Sequence, residues 1–169
     1  MDIFYTTLIQ VNNMIYEPNG LTLTSIREER QNVNYGAGTF KLNVRSVRFR
    51  VARKTPHKVG QFVSFWEKDE HDKNQPYCYE DAPDLLVIHT FFAPDKFGQF
   101  IFPKEILFKQ NIFRTSNTKG KMAMRVYPSW DTPTSKQGII TQKWQLPYFV
   151  DLRNVDDFMM KKILALYRP

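Results

Sequence analysis

KLNVRSVRFRVARKTPHKVGQFVSFWEK, residues 41–68, is the stretch whose reading decides the fold. Val47, Phe49 and Val51 alternate with Arg48 and Arg50, a period of two that puts the apolar side chains on one face of a strand and both arginines on the other. A hairpin around Asn43 joins a strand over residues 39–42 to one over residues 46–52. Pro56 and Gly60 mark the next reversal. Residues 61–68 read as a further strand with Phe62, Ser64 and Trp66 on one face and Val63, Phe65 and Glu67 on the other. No Asp or Glu occurs between Gln31 and Trp66, whereas Lys41, Arg45, Arg48, Arg50, Arg53, Lys54 and Lys58 all fall there. A basic strand pair with interleaved aromatics suits a polyanion that also presents flat rings, as a nucleic acid or nucleotide does. It equally describes a solvated sheet face whose charges keep an edge from pairing.

Working outward, 169 residues with 42% hydrophobic and 15% aromatic content can bury a core, which excludes general disorder. Fourteen Phe and eight Tyr point to strands and a ring-rich interior. A formal charge of +7 favours an acidic partner. Cys78 is the single cysteine, so no disulfide forms within the chain and a reducing compartment is expected. It lies in an acidic loop with no cation beside it in sequence, which reads as a bystander thiol. There is no apolar run of about 18 residues to span a bilayer and no signal-peptide charge pattern, so a cytoplasmic protein with no membrane partner is expected. Without repeats or a convincing linker, residues 1–169 read as one domain.

Phe4, Leu8, Val11 and Ile15 predict a helix over residues 2–16, stopped at Pro18–Asn19–Gly20; residues 22–35 fit either helix or extended chain. Leu85–Leu86–Val87–Ile88 reads as a buried central strand opened by Asp84. Further strands are predicted over residues 99–102 and, as the last, 121–127. Pro103 starts a short helix through Gln110, Thr134 or Ser135 caps a helix ending at Gln145, and a last helix begins at Asn154 with Phe158, Met159, Ile163 and Leu166 inward. The order argues for an α/β fold bordering on α+β, a mixed central sheet flanked by helices and three layers thick.

Basic residues recur from Lys104 through Lys109, Arg114, Lys119, Lys121, Arg125 and Lys136 to Lys143, opposed only by Glu105 and Asp131. Two basic regions separated by the acidic residues 67–84 predict a cleft. Trp66, Trp130 and Trp144 are candidate stacking rings, although a tryptophan is more often core; Trp130, in a loop, is expected to be the exception. There is no HExxH, CxxC, GxSxG or Walker pattern, and His57, His71 and His89 are scattered. Metal-dependent nucleases place a carboxylate at one strand end and an acidic-x-lysine triplet on the next strand. Here Asp84 is followed by Gln99–Phe100–Ile101, an amide with no lysine, so Asp84, Gln99 and Lys104 make at most a degraded site and no metal ligand is assigned.

Tyr35–Gly36–Ala37, Phe49–Arg50–Val51–Ala52, Thr55–Pro56 with Lys58, and Gly60–Gln61–Phe62–Val63 with Trp66 resemble the MepB family. So do Gly98–Gln99–Phe100, Phe102–Pro103–Lys104, Arg125–Val126–Tyr127–Pro128 with Trp130–Asp131, and Thr141–Gln142–Lys143–Trp144–Gln145 with Tyr148–Phe149. That family is encoded beside a multidrug exporter in some Gram-positive bacteria. The resemblance implies a restriction-endonuclease-like, PD-(D/E)xK fold and a nucleic-acid-binding role on DNA or RNA, by analogy of fold. At matching positions Arg50, Lys58, Arg125 and Lys143 would touch phosphate, with Arg53 where a lysine is expected, and Trp66, Trp130, Gln142 and Trp144 would stack or read an edge. The leading expectation is a basic cleft with Arg50, Arg53, Lys54 and Lys58 on one side and Arg125, Lys136 and Lys143 on the other, working without a cofactor. One alternative is a magnesium- or manganese-dependent phosphodiesterase, nuclease or nucleotide phosphate hydrolase in which Asp84, Glu28 or Glu29, Gln99 and Lys104 converge. Another is an interaction protein that uses the acidic residues 67–84 to hold a basic partner.

Overall fold

Alternation at residues 45–51 organises the computed structural model, which describes residues 2–169. In chain order the elements are α1 (Ile3–Val11), β1 (Leu23–Glu28), β2 (Gly38–Leu42), β3 (Arg45–Val51), β4 (Arg53–Lys54) and β5 (Gln61–Ser64). They continue with β6 (Glu67–Lys68), β7 (Asn74–Gln75), β8 (Leu85–Ala93), β9 (Lys96–Pro103) and α2 (Lys104–Lys109). The last are β10 (Ala123–Val126), α3 (Lys136–Gln145), β11 (Phe149–Asp151) and α4 (Asp157–Tyr167). A six-stranded sheet runs β1-β2-β3-β8-β9-β11; a three-stranded sheet runs β10-β5-β4, and β6 and β7 form a small ribbon. β3 and β8 pair in parallel, Phe49 opposite Val87, and the other neighbours in the large sheet are antiparallel. The fold is therefore α+β, built on a mixed sheet.

Each face of the large sheet carries its own core. On one, Val47, Phe49 and Val51 meet Val87 and Ile101 beneath Phe4, Leu8 and Val11 of α1 and Ile163 of α4. Gly38 lets α1 settle there, because a Cβ at this position would lie 2.1 Å from the Phe4 ring. On the other, Ile88, Phe100 and Phe102 meet Val63 and Val126 of the three-stranded sheet and Phe65 just after β5. Three layers are present, but the second flank is mainly a sheet with α3 beside it, where helices were expected. The period-two pattern at residues 47–51 cannot distinguish a face turned to water from one turned to another sheet.

Several expected boundaries move. The first helix loosens after Val11 into a wider π turn over Asn12–Tyr16 and a 3-10 turn over Glu17–Asn19, ended by Gly20 at φ +72°. Residues 22–35 resolve into β1 and a short 3-10 turn, Val33–Tyr35. Strand β11 follows what was expected to be the last strand. Helix α4 starts after an Asp156 cap whose side chain accepts from Met159 N, which turns Phe158 out to 76% exposure and Tyr167 in. No helix among the described residues is long and apolar enough to cross a membrane.

Two buried polar groups tie the layers. Between the sheets, Arg50 is fully buried and donates to Glu29 Oε1 (2.7 Å), Tyr77 Oη (2.7 Å), Ser64 O (3.1 Å) and Phe49 O (2.9 Å). Arg48 reaches Glu29 Oε2 at 3.3 Å and lies 3.6 Å from the centre of the Tyr77 ring. Burial works against the Glu29 carboxylate, but Arg50 and Arg48 outweigh it and hold its pKa below the usual range. On the helix side, Gln99 bridges His89 Nδ1 (3.2 Å) and the Tyr167 hydroxyl (3.0 Å), which in turn meets the Tyr16 hydroxyl at 2.7 Å. Since Gln99 donates to Nδ1, His89 carries its proton on Nε2, which is buried without a partner.

Replacing Glu29 with Ala strands Arg50 in the interior and should lower unfolding stability by about 3 kcal/mol in urea titration. His89 gives a second prediction. Burial pushes its pKa down to about 3. The unfolded chain takes up the proton first, so stability falls as the pH drops below the unfolded value of about 6.5 and levels off near the folded one. Urea midpoints should show a loss of about 2 kcal/mol between about pH 7 and pH 5, and His89→Phe should remove most of that dependence.

Candidate functional site

The three-stranded sheet has a packed inner face and an open outer one. Gln61 and Val63 of β5 and Val126 of β10 point inward and are buried. The Gln61 side chain donates to Phe91 O at 2.8 Å and so anchors the small sheet to β8. Period two then sends Phe62 outward. Register places Arg53 of β4 and Arg125 of β10 opposite Phe62 on either side, so the three side chains form one row across the outer face. Tyr35 meets the Phe62 ring edge-on, with centroids 5.9 Å apart. Arg125 donates to Val59 O (3.2 Å) and to Thr55 Oγ1, which ties the turn at residues 55–60 to β10. Gly60, at φ +83°, makes that approach possible: a Cβ there would lie 2.8 Å from the Tyr127 ring.

Three grooves surround the row. The largest, about 700 Å³, is lined by Arg30, Tyr35, Phe62, Trp66 and Lys68 among others. Its floor is fixed by Asn32, at φ +62°, which donates to Trp66 O (2.9 Å) and accepts from Ser64 Oγ (2.8 Å). A second groove of about 330 Å³ includes His57, Lys58, Arg125 and Ser135 in its lining. A third, about 250 Å³, includes Lys121, Arg125, Gln137 and Trp144. Ala123 borders the first and third, and Arg125 the second and third, so the grooves adjoin around β10. No carboxylate lines any of them.

The structure brings together Arg53, Lys58, Trp66, Arg125 and Trp144 on or beside this face, with Lys136 next to Ser135 at the start of α3. Trp144 also packs on Phe102, with centroids 5.4 Å apart. The expected cleft with two opposing walls is replaced by one sheet face on which Arg53 and Arg125 flank Phe62. Arg50 is not part of it: its donors are spent between the sheets. Lys54 turns to the far end of β8, where Nζ donates to Phe92 O at 2.8 Å. Trp130 is wedged between Phe92 (5.5 Å) and Phe149 (5.4 Å), with the Arg153 guanidinium 4.9 Å from its ring. Gln142 Nε2 donates to the carbonyls of Tyr127, Pro128 and Asp131, so it holds the loop after β10. Gln145, fully buried, accepts from Tyr127 N and donates to Arg125 O, each at 2.9 Å. Lys143 is exposed on α3.

The residues of the metal-dependent alternative do not converge. Asp84 Oδ2 accepts from Ser46 N (3.0 Å) and Ser46 Oγ (3.2 Å), joining the starts of β3 and β8. Gln99 pairs with His89, roughly 16 Å further along β8 at ~3.3 Å per residue, and faces the helices. Lys104 N donates to Asp84 O at 3.0 Å, but its Nζ lies over the Tyr79 ring at 4.6 Å. Glu29 is occupied by Arg48 and Arg50, and Glu28 is exposed. Among the described residues, no group of three or more His, Cys, Asp or Glu side chains is arranged to hold a metal ion. Cys78 is buried and donates to Asp81 Oδ2 at 3.0 Å; burial raises its pKa, which keeps it a thiol. Sequence reasoning passed over Tyr35, Arg30 and Lys68. The signal that points to Phe62 is its shared face with Trp66, while Asn32 shows only the turn preference of asparagine.

The chain matches the MepB-like family over residues 29–151, from the partner of Arg50 to the last residue of β11, leaving α1 and α4 outside. It is similar to MepB in that protein's crystal structure, with a TM-score of 0.77 and 37% identity, over 92% of this chain and 100% of the other. No curated protein matches it. Family model and crystal structure agree, and the chain belongs to the MepB-like family.

Proposed function

We propose that this protein binds nucleic acid, DNA or RNA, on the outer face of its three-stranded sheet, with Arg53, Lys58 and Arg125 on the phosphates. The carrying observation is the Arg53–Phe62–Arg125 row set among three adjoining grooves that contain Arg or Lys and no carboxylate. Guanidinium and ammonium groups supply phosphate affinity by releasing counterions, and a ring between them offers a surface to a base. Lys121, ahead of β10, lines the groove that holds Trp144, and the exposed Lys136 and Lys143 on α3 add positive charge.

The proposal includes the finer reading of the scaffold as endonuclease-like. The position of the catalytic triplet then holds Gln99, an amide turned into the helix layer, so the fold would bind the phosphate backbone without the acidic cluster that cuts it. It also includes a cytoplasmic location, which suits a ligand found there and a buried, unpaired Cys78.

Titration of a labelled oligonucleotide at several salt concentrations should give log affinity falling linearly with log salt, by about 0.9 per neutralised phosphate on duplex and about 0.7 on single strands. Arg53→Ala and Lys58→Ala should each flatten the slope by roughly one contact. Lys161→Ala, on α4 at the opposite side of the large sheet, should leave it unchanged. An affinity independent of salt would remove the reading.

A further inference from the structure

We infer that the preferred ligand is single-stranded, its bases entering the groove between Tyr35, Phe62 and Trp66; the inference rests on the nucleic-acid reading above and names the form of the polymer. Duplex bases hide their faces in the stack and show only their edges, which a protein reads by inserting a helix or a two-stranded ribbon into the major groove. This face offers the opposite shape. Its rings line a recess of about 700 Å³, and the grooves beside it are recessed too. A recess with rings in its walls accepts bases that have already left a stack.

The spacing fits several bases. Phe62 and Trp66 are four positions apart along an extended segment, so about 13 Å at ~3.3 Å per residue. That is room for about three bases at the ~3.4 Å rise of a stacked strand. Phe62 and Trp66 are both half-buried and line the same groove. Lys68 Nζ lies 5.3 Å from the centre of the Trp66 ring, which sets a cation at that end of the recess. Arg30 supplies another charge, and Asn34 and Asn74 supply donors and acceptors for base edges. At the other end Phe62 stands between Arg53 and Arg125, so the phosphates of a strand whose bases lie in the recess meet guanidiniums where they leave it. The Asn32 bonds to Ser64 and Trp66 hold the floor in place before anything binds.

Fluorescence anisotropy with labelled oligothymidylate, oligouridylate and a DNA duplex of equal length tests this on the full chain. The expected result is tighter binding of one or both single strands than of the duplex at every salt concentration. Phe62→Ala and Trp66→Ala should each weaken single-strand binding about 5- to 100-fold, the range of one lost base–ring stack, without changing the salt slope. Trp66→Phe, which keeps a ring, should retain most of the affinity, and a matched thermal midpoint separates lost stacking from lost folding. The thymidylate and uridylate arms distinguish DNA from RNA as the source of the strand. Duplex binding as tight as or tighter than single-strand binding would overturn the inference and leave the broader reading standing. Wild-type affinity in both alanine variants would do the same. No binding of any of the three polymers would remove both.

Discussion

The structure depends on one buried guanidinium. Arg50 leaves the central strand β3 on the face opposite Phe49 and spends its donors on Glu29 at the end of β1, on the Ser64 carbonyl of β5, on Tyr77 and on the carbonyl of Phe49. Removing such a charge from water is unfavourable by several kcal/mol, and only a carboxylate with good geometry plus further acceptors offsets it. Lysine would not replace it, since an ammonium cannot span these directions from one plane. The result is a joint between the two sheets whose directional bonds fix how they sit on each other, which packing of leucines and phenylalanines alone would leave freer to slide. Arg48, stacked on Tyr77, braces the same joint from one side.

That joint explains why the open face lies where it does. Everything on the inner side of the small sheet is committed: Gln61 to the Phe91 backbone, Val63 and Val126 to the core, Gln145 to the backbone of β10. Of the alternate residues of the same short strands, Ser64 and one edge of Phe62 meet Asn32 and Tyr35, and the rest face no third layer. A sheet of three strands with a fixed floor and an uncovered top is a rigid platform, and the residues on top are free to be chosen for charge and ring area. The Asp84–Ser46 pair, the Gln142 clamp and the Trp130 wedge belong to the scaffold, because none of them lines the grooves around the Arg53–Phe62–Arg125 row.

Much of the fold was legible in the sequence and less of the site. The alternation at residues 47–51, the apolar run at residues 85–88 and the Ser135 cap each report a local preference, and each element formed where that preference put it. What a sequence pattern leaves out is the identity of the neighbour. Arg48 and Arg50 read as a solvent face because charge usually means water, yet a second sheet, whose β10 comes more than sixty positions later, closes over them. Parallel pairing of β3 with β8 has no local signal either. Strand β11 has three residues and follows a proline-containing turn, too short for a period to show. On the proposed face, Arg53, Lys58, Trp66 and Arg125 are the residues that charge and spacing single out, whereas Arg50, Lys54, Gln142 and Trp130, singled out with them, turn to partners inside the chain. Phe62 carries no charge, so a search for cations passes over it.

The order of strands in the small sheet has a consequence for how the protein comes off a ribosome. Strands β4 and β5 lie in the crossover between β3 and β8, but their third partner, β10, is encoded after the whole of β8, β9 and α2. A nascent chain that ends before Ala123 already carries Arg53, Phe62 and Trp66 but has neither Arg125 nor the strand that flattens β5 into a platform. Until that point its apolar inner residues Val63 and Phe65 lack the cover of Val126 and Met124. The complete row of Arg53, Phe62 and Arg125 therefore exists only once β10 has been added to β5.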